Sequence, residues 1–388
     1  MSDADRVSVG YKVESTYGTQ QTGTNYQELR LRSETLAQNT TSVRSQEIRN
    51  DRQIVGVKRS DVRVAGALEG EFSYGTYDEF LAAVLFAANS WTPTAVGVSG
   101  TVYSMANSDS SLNRSSGNFS TDGFTAGQII KISGFATAAN NGFFRAISVA
   151  TTKIVVDAVV TTEAAGPTVA IKGFSSIVNG TTLNSFSFQR KYNDLSNEVA
   201  NFKGCAFEGT TLRIDTAALN TIGFEIVGKV EVSGTTAETL TPANSNDITN
   251  AIDDISLMQE GATAFAAEVL AFTVAIKNNI RARLAVGNLG PVSLGSGKCE
   301  VTGTLRLYFS TKTLYDKYLN FTSTSLRFVV KDSANNYYCI DLPAVRLTTG
   351  ARVPQGENTD IIADFTFQAF RDGTQGITIK VARLPNTV

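Results

Sequence analysis

A strand followed by a helix occurs twice in this chain, and this duplication constrains the fold more than any other feature. Residues 64–86 read VAGALEGEFSYGTYDEFLAAVLF, and residues 301–321 read VTGTLRLYFSTKTLYDKYLNF. Four residue types recur in the same order 237 residues later, with Gly66, Leu68, Phe72 and Ser73 matched by Gly303, Leu305, Phe309 and Ser310. Repetition of a supersecondary unit indicates that the chain is built from two copies of one building block.

Each copy predicts a half-buried strand that leads into a short helix. Over residues 61–74, apolar residues and glycines alternate with charged or small residues, which is typical of a strand with one polar face. Residues 76–88 predict an amphipathic helix, with Thr76 as the N-cap and Asp78 in the first turn.

Later segments also correspond between the copies. Residues 202–214 resemble 340–353, and residues 222–232 resemble 362–372. Abundant Gly, Ser, Thr and Asn favour many turns. We therefore expect a mainly β fold, with two tandem β-sandwich units that each carry a flanking short α-helix.

Residues 92–174 differ from the rest of the chain and have no counterpart in the second copy. Charged residues are sparse there, short β-branched runs alternate with turns, and Asn141-Gly142 is a strong hairpin signal. This pattern predicts a small all-β domain inserted into a loop of the first copy, a decoration that assembly would not require. The predicted division is 6–91 plus 175–232 for the first unit, 92–174 for the insert, 233–249 for a linker and 250–388 for the second unit.

The composition argues against catalysis. The chain has 388 residues, is 42% hydrophobic and 18% charged, and has a net charge of −2, so it is globular without the basic surface of a duplex-binding protein. It contains no histidine, which excludes Ser-His-Asp systems and His-ligated metals, and its three cysteines form no C-x-x-C pair. We assign no catalytic, cofactor-binding or metal-binding residue and expect no enzyme.

The sequence also bears on where the chain is made. The N-terminus has no apolar stretch of the signal-peptide kind, and the longest apolar run, 80–88, is too short for a membrane helix. We expect synthesis in the cytoplasm without membrane insertion. Carboxylate-only chemistry stays open, although Asp253-Asp254 has no signature beyond adjacency.

Residues 47–86 resemble the N-terminal region of tail tube proteins from long, flexible-tailed bacteriophages. The shared features are an Arg-Asp-Arg stretch on a long loop, a strand punctuated by glycines, and a short helix with an acidic start, represented here by Arg49, Asp51, Arg52, Gly66, Gly70, Phe72, Asp78, Phe80 and Leu81. The inserted block is similar to small β modules found in phage tail proteins.

This resemblance implies a virion protein that polymerises as stacked rings. In that family, β-sandwiches pack side by side, their inner sheets join into a barrel around a channel, and genomic DNA passes through without sequence-specific binding. With two units per chain, three chains would supply the six units of a hexameric ring. The implied partners are further copies of the chain and the tape measure, terminator and baseplate proteins.

Two groups of candidate residues follow from the resemblance. The long loop, predicted over residues 41–60, would reach the neighbouring ring, with the inter-ring contacts at Arg44, Glu47, Arg49, Asp51 and Arg52. Polar strand faces would line the channel, at Glu69, Glu71, Glu225 and Asp364. The alternative for both groups is a surface that simply faces solvent.

Two other functions remain open at this point. A tail-terminator or baseplate protein would share the fold but would be present in few copies. A carbohydrate-binding β-protein would use the inserted domain, which contains few of the exposed Trp and Tyr side chains that sugar platforms need.

Overall fold

The computed structural model describes residues 3–97, 102–166, 169–196, 198–265, 268–354 and 356–387. The fold is mainly β, as the sequence predicts. Two short α-helices lie in the described residues, α1 (Asp78–Val84) and α2 (Thr313–Leu319), with 3-10 turns at Ala4–Arg6, Asn107–Asp109 and Ala138–Asn140.

The strands before and within the insert, in chain order, are β1 (Val7–Val13), β2 (Tyr26–Glu28), β3 (Ser33–Glu34), β4 (Ala37–Arg44), β5 (Val57–Glu71), β6 (Ala95–Val96), β7 (Tyr103–Ala106), β8 (Ser111–Arg114), β9 (Ile129–Ser133), β10 (Gly142–Val149), β11 (Lys153–Val156), β12 (Glu163–Gly166) and β13 (Ala170–Gly173). The strands between the insert and residue 250 are β14 (Ser175–Val178), β15 (Phe186–Tyr192), β16 (Val199–Asp215), β17 (Thr221–Gly228), β18 (Val230–Gly234) and β19 (Leu240–Thr241). The remaining strands are β20 (Ile255–Glu260), β21 (Thr263–Ala264), β22 (Val269–Lys277), β23 (Arg281–Arg283), β24 (Ser293–Gly295), β25 (Glu300–Tyr308), β26 (Thr324–Lys331), β27 (Tyr337–Ala351), β28 (Ile362–Ala369) and β29 (Lys380–Leu384).

The duplication seen in the sequence is a duplication of topology. Antiparallel neighbours run in the order β1-β15-β16-β17-β5 in the first half, and the same order returns as β20-β26-β27-β28-β25 in the second. A β-bulge also recurs: the pairing register shifts between residues 207 and 209 of β16 and between the matching residues 347 and 349 of β27. We call these strand sets, with their helices and with the neighbouring strands β4 (beside β5) and β22 (beside β25), the first unit and the second unit.

The repeated glycine marks a close approach of two backbones in both units. A Cβ on Gly66 would lie 2.5 Å from the Thr35 oxygen, and a Cβ on Gly303 would lie even closer to the Thr273 oxygen. Contacts this short are sterically forbidden, so only glycine fits at these two positions beside the neighbouring backbone. The recurrence of glycine in the sequence therefore has a packing cause.

The helix and the strands of the first unit enclose an aromatic core. Phe80 of α1 has its ring centroid 4.6 Å from those of both Tyr11 and Phe207, and it also meets Phe186 and Phe224. The apolar stripe predicted for the helix is therefore buried as expected.

The ends of the predicted elements need correction. The helix begins at Asp78, and Thr76 does not cap it, because its hydroxyl contacts Ser73 Oγ at 2.6 Å and donates to Asn244 Oδ1. The prediction of a loop over the polar residues before 61 was also wrong in part, because Ala37–Arg44 pairs with the extended start of β5.

The inserted strands β6–β13 form an eight-stranded sheet with its own apolar cluster. This inserted domain leaves the first unit but packs against the second. Ile129 and Phe174 share an apolar cluster with Val329 and Cys339 on the outward face of β26 and β27. Residues of the insert thus cover a sheet that belongs to the other unit.

Candidate functional site

The two units meet edge to edge through a strand pair that we call the junction. Residues Gly209–Asp215 of β16 pair antiparallel with residues Ala271–Lys277 of β22, so that Thr211 lies opposite Ala275. The result is one continuous sheet in the order β4-β5-β17-β16-β22-β25-β28-β27, which we call the joined sheet.

The buried Asn278 and the half-buried Glu208 close one end of the junction. Asn278 Nδ2 donates to the backbone oxygens of Val84 at 2.8 Å and Phe207 at 3.1 Å. The backbone N–H of Ile280 donates to Glu208 Oε2 at 2.7 Å, at the bulge of β16. Burial raises the pKa of Glu208, and the hydrogen bond from Ile280 and the charge of Lys277 oppose that rise. These bonds fix the register of the junction.

One face of the joined sheet covers the core, and the other, which we call the open face, is polar. The charged side chains that project from it include the acids Asp61, Glu69, Glu71, Asp215, Glu225, Glu300 and Asp364 and the bases Arg63, Arg213, Lys277, Arg306 and Arg346. Acids and bases are interspersed; for example, Arg306 Nε lies 3.4 Å from Asp364 Oδ1. Both of these side chains are more than half exposed, so this pair contributes little stability.

A row of threonines crosses the open face from one unit to the other. Strand register places Thr221, Arg213, Thr273, Thr304 and Thr366 side by side on five successive strands. The row continues onto β27, where the hydroxyls of Thr349 and Thr366 lie 2.7 Å apart. The two units therefore present one continuous surface of small and charged polar groups.

Within the described residues of the single chain, the joined sheet has two edges without a neighbouring strand. One edge lies along residues 33–39, where Thr35, Ala37 and Asn39 are exposed. The other lies along the end of β27 and the residues after it, where Thr349, Ala351 and Val353 are exposed. Side chains cover part of the first edge, because the N–H groups of Leu36 and Gln38 donate to Glu34 and Glu231, and Arg190 donates to the Leu36 oxygen. A strand that pairs there would exchange these bonds for a backbone ladder, and sheet edges are templates for such pairing.

A hairpin projects from the first of these edges. All residues from 41 to 60, which we call the arm, are exposed, and a hydrogen bond of 2.9 Å from Ser45 N to Gly56 O closes its base. Apolar side chains project from it into solvent, including Ile48, which is 98% exposed, with Val43, Ile54, Val55 and Val57. The matching connection in the second unit folds back instead, with Gly290 against the backbone of Val62.

A family match over most of the chain shows which family this protein belongs to. The family described as phage tail tube protein matches residues 4–369, which is nearly the whole chain. The chain belongs to the phage tail tube protein family. No curated protein sequence matches it. Tail tube proteins are structural components of the virion tail, and their family is not an enzyme family.

In this tail tube chain, the four carboxylates predicted to line a channel lie on one surface. Glu69, Glu71, Glu225 and Asp364 all project from the open face. The bases among them were not anticipated, because strand alternation in a single segment does not show which residues of distant segments become neighbours. Their role as channel-lining residues stays a prediction.

The residues predicted for inter-ring contacts all lie on the arm. Arg44 ends β4, and Glu47, Arg49, Asp51 and Arg52 lie in the connection to β5. Arg49 and Asp51 pair with each other at 2.7 Å within the arm, which lowers the pKa of Asp51 through the hydrogen bond from Arg49. Both groups are exposed to solvent, so the local pair is weak and free to exchange partners.

Two kinds of feature are absent from the described residues. In the described residues, no group of three His, Cys, Asp or Glu side chains is arranged to hold a metal ion. None of the helices in those same ranges has the length and apolar character needed to cross a membrane.

A buried ion cluster lies between the insert and the second unit and was not predicted from the sequence. Arg145 Nη2 lies 2.6 Å from Asp341 Oδ1, and Arg327 lies 3.2 Å from the same oxygen and 2.5 Å from Asp157 Oδ2. Burial of Asp341 would raise its pKa, but Arg327 and Arg145 overcome this effect and lower it. A signal was present, because Arg327 and Asp341 each interrupt an apolar strand, and buried charges need partners.

Proposed function

We propose that this chain polymerises as stacked rings into the tail tube and that the open face lines the channel through which DNA leaves the virion. The junction carries the proposal: within one chain, two tube units already join by strand pairing, with all their polar strand faces on one side. Repetition of the same edge-to-edge contact between chains would extend the sheet until it closes on itself.

Three chains per ring follow from the duplication. Each chain supplies two units, so three chains give six, and closure would leave no free edge on the joined sheet. The resulting pseudo-hexameric ring would show threefold symmetry, because only one unit of each pair carries the insert.

The composition of the open face suits passage of a polyanion. Carboxylates such as Glu69, Glu71, Glu225 and Asp364 repel phosphate groups, and Thr and Ala side chains between them offer no strong contact. The bases lie among acids, and Arg306 already faces Asp364. DNA would therefore slide without sequence-specific binding or tight phosphate contacts. No catalytic step belongs to this role.

The arm would join successive rings. Its exposed apolar residues Ile48 and Ile54 need a partner surface, since isolated exposure of several large apolar groups on one hairpin is unfavourable in water. The charged residues Arg44, Glu47, Arg49, Asp51 and Arg52 would pair across the ring interface. At the two ends of the tube, the same surfaces would meet the tape measure, terminator and baseplate proteins after assembly in the host cytoplasm.

The test combines mass measurement and electron microscopy of the purified protein over a range of concentrations. We expect rings with the mass of three chains that stack into striated tubes. An Ile48→Asp variant should form rings but no tubes, whereas the control Ile252→Asp, which alters a side chain that is 70% exposed on the second unit, should form both. A monomer at all concentrations and salts would refute the proposal, and rings of six chains would refute the stoichiometry.

A further inference from the structure

The junction inside the chain gives the residue-by-residue register of the contact between chains. Strand β25 matches β5, because Gly303 and Leu305 occupy the positions of Gly66 and Leu68 in both pairing patterns. Strand β22 pairs with β25, and residues 33–39 pair with the matching strand β5. Each residue of β22 in this pairing therefore has a counterpart in residues 33–39. Ala275 lies opposite Thr302, and Ala37 lies opposite the matching Ala65.

The other side of the junction maps in the same way. Strand β28 matches β17, with Phe365 in the place of Phe224, because each lies opposite the repeated leucine. Across from these two phenylalanines lie Thr210 of β16 and Gly350 of β27. The shared bulge keeps the count equal on both strands, so Thr211 corresponds to Ala351.

We infer that residues 35–39 of one chain pair antiparallel with residues 349–353 of a second copy of this chain. The register places Asn39 opposite Thr349, Ala37 opposite Ala351, and Thr35 opposite Val353. This inference rests on the proposed ring and specifies the surface that closes it. It reproduces the junction, where Thr211 lies opposite Ala275 and Arg213 lies opposite Thr273.

The chemistry of both edges fits this pairing. The three residues of each strand that would face the channel are exposed, and the central facing pair is alanine with alanine, so the backbones can approach without obstruction. Pro354, which lacks an N–H, follows Val353 and would end the ladder. On the opposite side, Arg352 already stacks over the Tyr315 ring at 3.9 Å, which keeps its charge away from the pairing groups.

Disulfide trapping tests this register. In a Cys299→Ser background, which removes the half-buried native thiol, we would compare Ala37→Cys/Ala351→Cys with the shifted pair Ala37→Cys/Thr349→Cys. Directly opposed residues have Cα atoms about 4.5–5.5 Å apart, within disulfide range, whereas the shifted pair is about 7–8 Å apart. After mild oxidation, we expect the opposed pair to yield about ten times more covalent trimer than the shifted pair.

Further measurements separate the possible outcomes. Mixing the two single-cysteine chains should give covalent dimers only, which shows that the bond joins different chains. Rings that form normally but trap the shifted pair as well as the opposed pair, or trap neither, would overturn the register and leave the proposed function standing. Failure of the parent protein to form any ring would overturn the proposed function, and the register with it.

Discussion

Strands β1, β15 and β16 of the first unit match strands β20, β26 and β27 of the second in order, but their outward faces are covered in different ways. In the first unit, the residues after β1 fold over the sheet, and Glu14 accepts hydrogen bonds from Ser185 Oγ at 2.7 Å and Ser187 Oγ at 2.8 Å. In the second unit, the inserted domain takes this place, with an apolar cluster and buried ions. The first cover is local and polar, whereas the second comes from a segment far earlier in the chain.

The difference shows that the same strand order can be covered by different segments, and that the outward side chains decide which cover fits. Strand β15 presents Ser187 and Gln189 outward, where a loop can satisfy them with hydrogen bonds. The matching strand β26 presents Arg327 and Val329, and these need a partner with its own hydrophobic surface and acids. We infer that the insert and the outward residues of the second unit depend on each other, so that the insert acts as a structural cover rather than a decoration.

Removal of the insert should produce the largest effect. If residues 94–173 are replaced by a short Gly-Ser linker, Val329 and Cys339 become exposed and Arg327 loses Asp157. We expect the second unit to lose more than about 5 kcal/mol of unfolding free energy, since an ion cluster is broken and an apolar face is uncovered. Urea denaturation and aggregation assays measure this loss. A deletion variant that stays monodisperse and forms normal tubes would restore the interpretation of the insert as a dispensable decoration.

Replacement of one buried acid should have the next largest effect. Asp341→Ala removes the fully buried acid and leaves Asp157, 2.5 Å from Arg327 and 3.9 Å from Arg145, as the remaining acid between the two guanidinium groups. Loss of one partner from a buried ion cluster typically costs about 3–5 kcal/mol. The matched control is Asp364→Ala, which breaks the exposed pair with Arg306 and should cost about 0–1 kcal/mol. Both values come from urea denaturation monitored by fluorescence. Equal losses in the two variants would mean that the cluster does not hold the insert in place.

A substitution in the cover of the first unit should have a smaller effect. Glu14→Gln replaces one acceptor oxygen by an amide that donates, while Ser185, Ser187 and the Gly204 N–H all donate to this carboxylate. We expect a loss of about 1–3 kcal/mol, confined to the first unit. Hydrogen exchange resolved by segment locates the change, and Glu47→Gln on the exposed arm serves as the neutral control. Destabilisation that spreads equally to the second unit would show that the two covers are coupled.

Much of the fold follows from the sequence because each unit has strong local signals. Gly66 and Gly303 mark the same close approach, and alternation reveals the half-buried strands around them. The strand at Ala37–Arg44 escaped prediction because both of its faces are polar or exposed, so it shows no hydrophobic period.

The sequence alignment of 222–232 with 362–372 was wrong by one residue. It places Phe224 against Asp364, which projects from the opposite face of its strand. Strand pairing instead matches Phe224 with Phe365, since each lies opposite the repeated leucine of its unit. A slip of one residue exchanges the two faces of a strand, so only the pairing with a neighbouring strand corrects it.

The contacts between segments were beyond the reach of sequence reasoning. Arg145 and Asp341 are 196 residues apart, and nothing local to either residue identifies the other. The junction could not be predicted for the same reason. Strands β16 and β22 have the sequence pattern of ordinary half-buried strands, and only the folded chain shows which edges meet. Strand edges pair through backbone N–H and C=O groups, which every residue except proline carries in full. The side-chain pattern therefore predicts a strand but does not predict which strand lies beside it.

The covalent link across the junction also has a kinetic consequence. Half of the lateral contacts in the proposed ring form as each chain folds, at the high effective concentration that a tether provides, and only the other half require collisions between molecules. A ring nucleus of three bodies depends on a lower power of protein concentration than a nucleus of six. Fusion of the two units therefore lets tube growth begin while little protein has accumulated. It also ensures that first and second units alternate around the ring, so that no unit can take the wrong place.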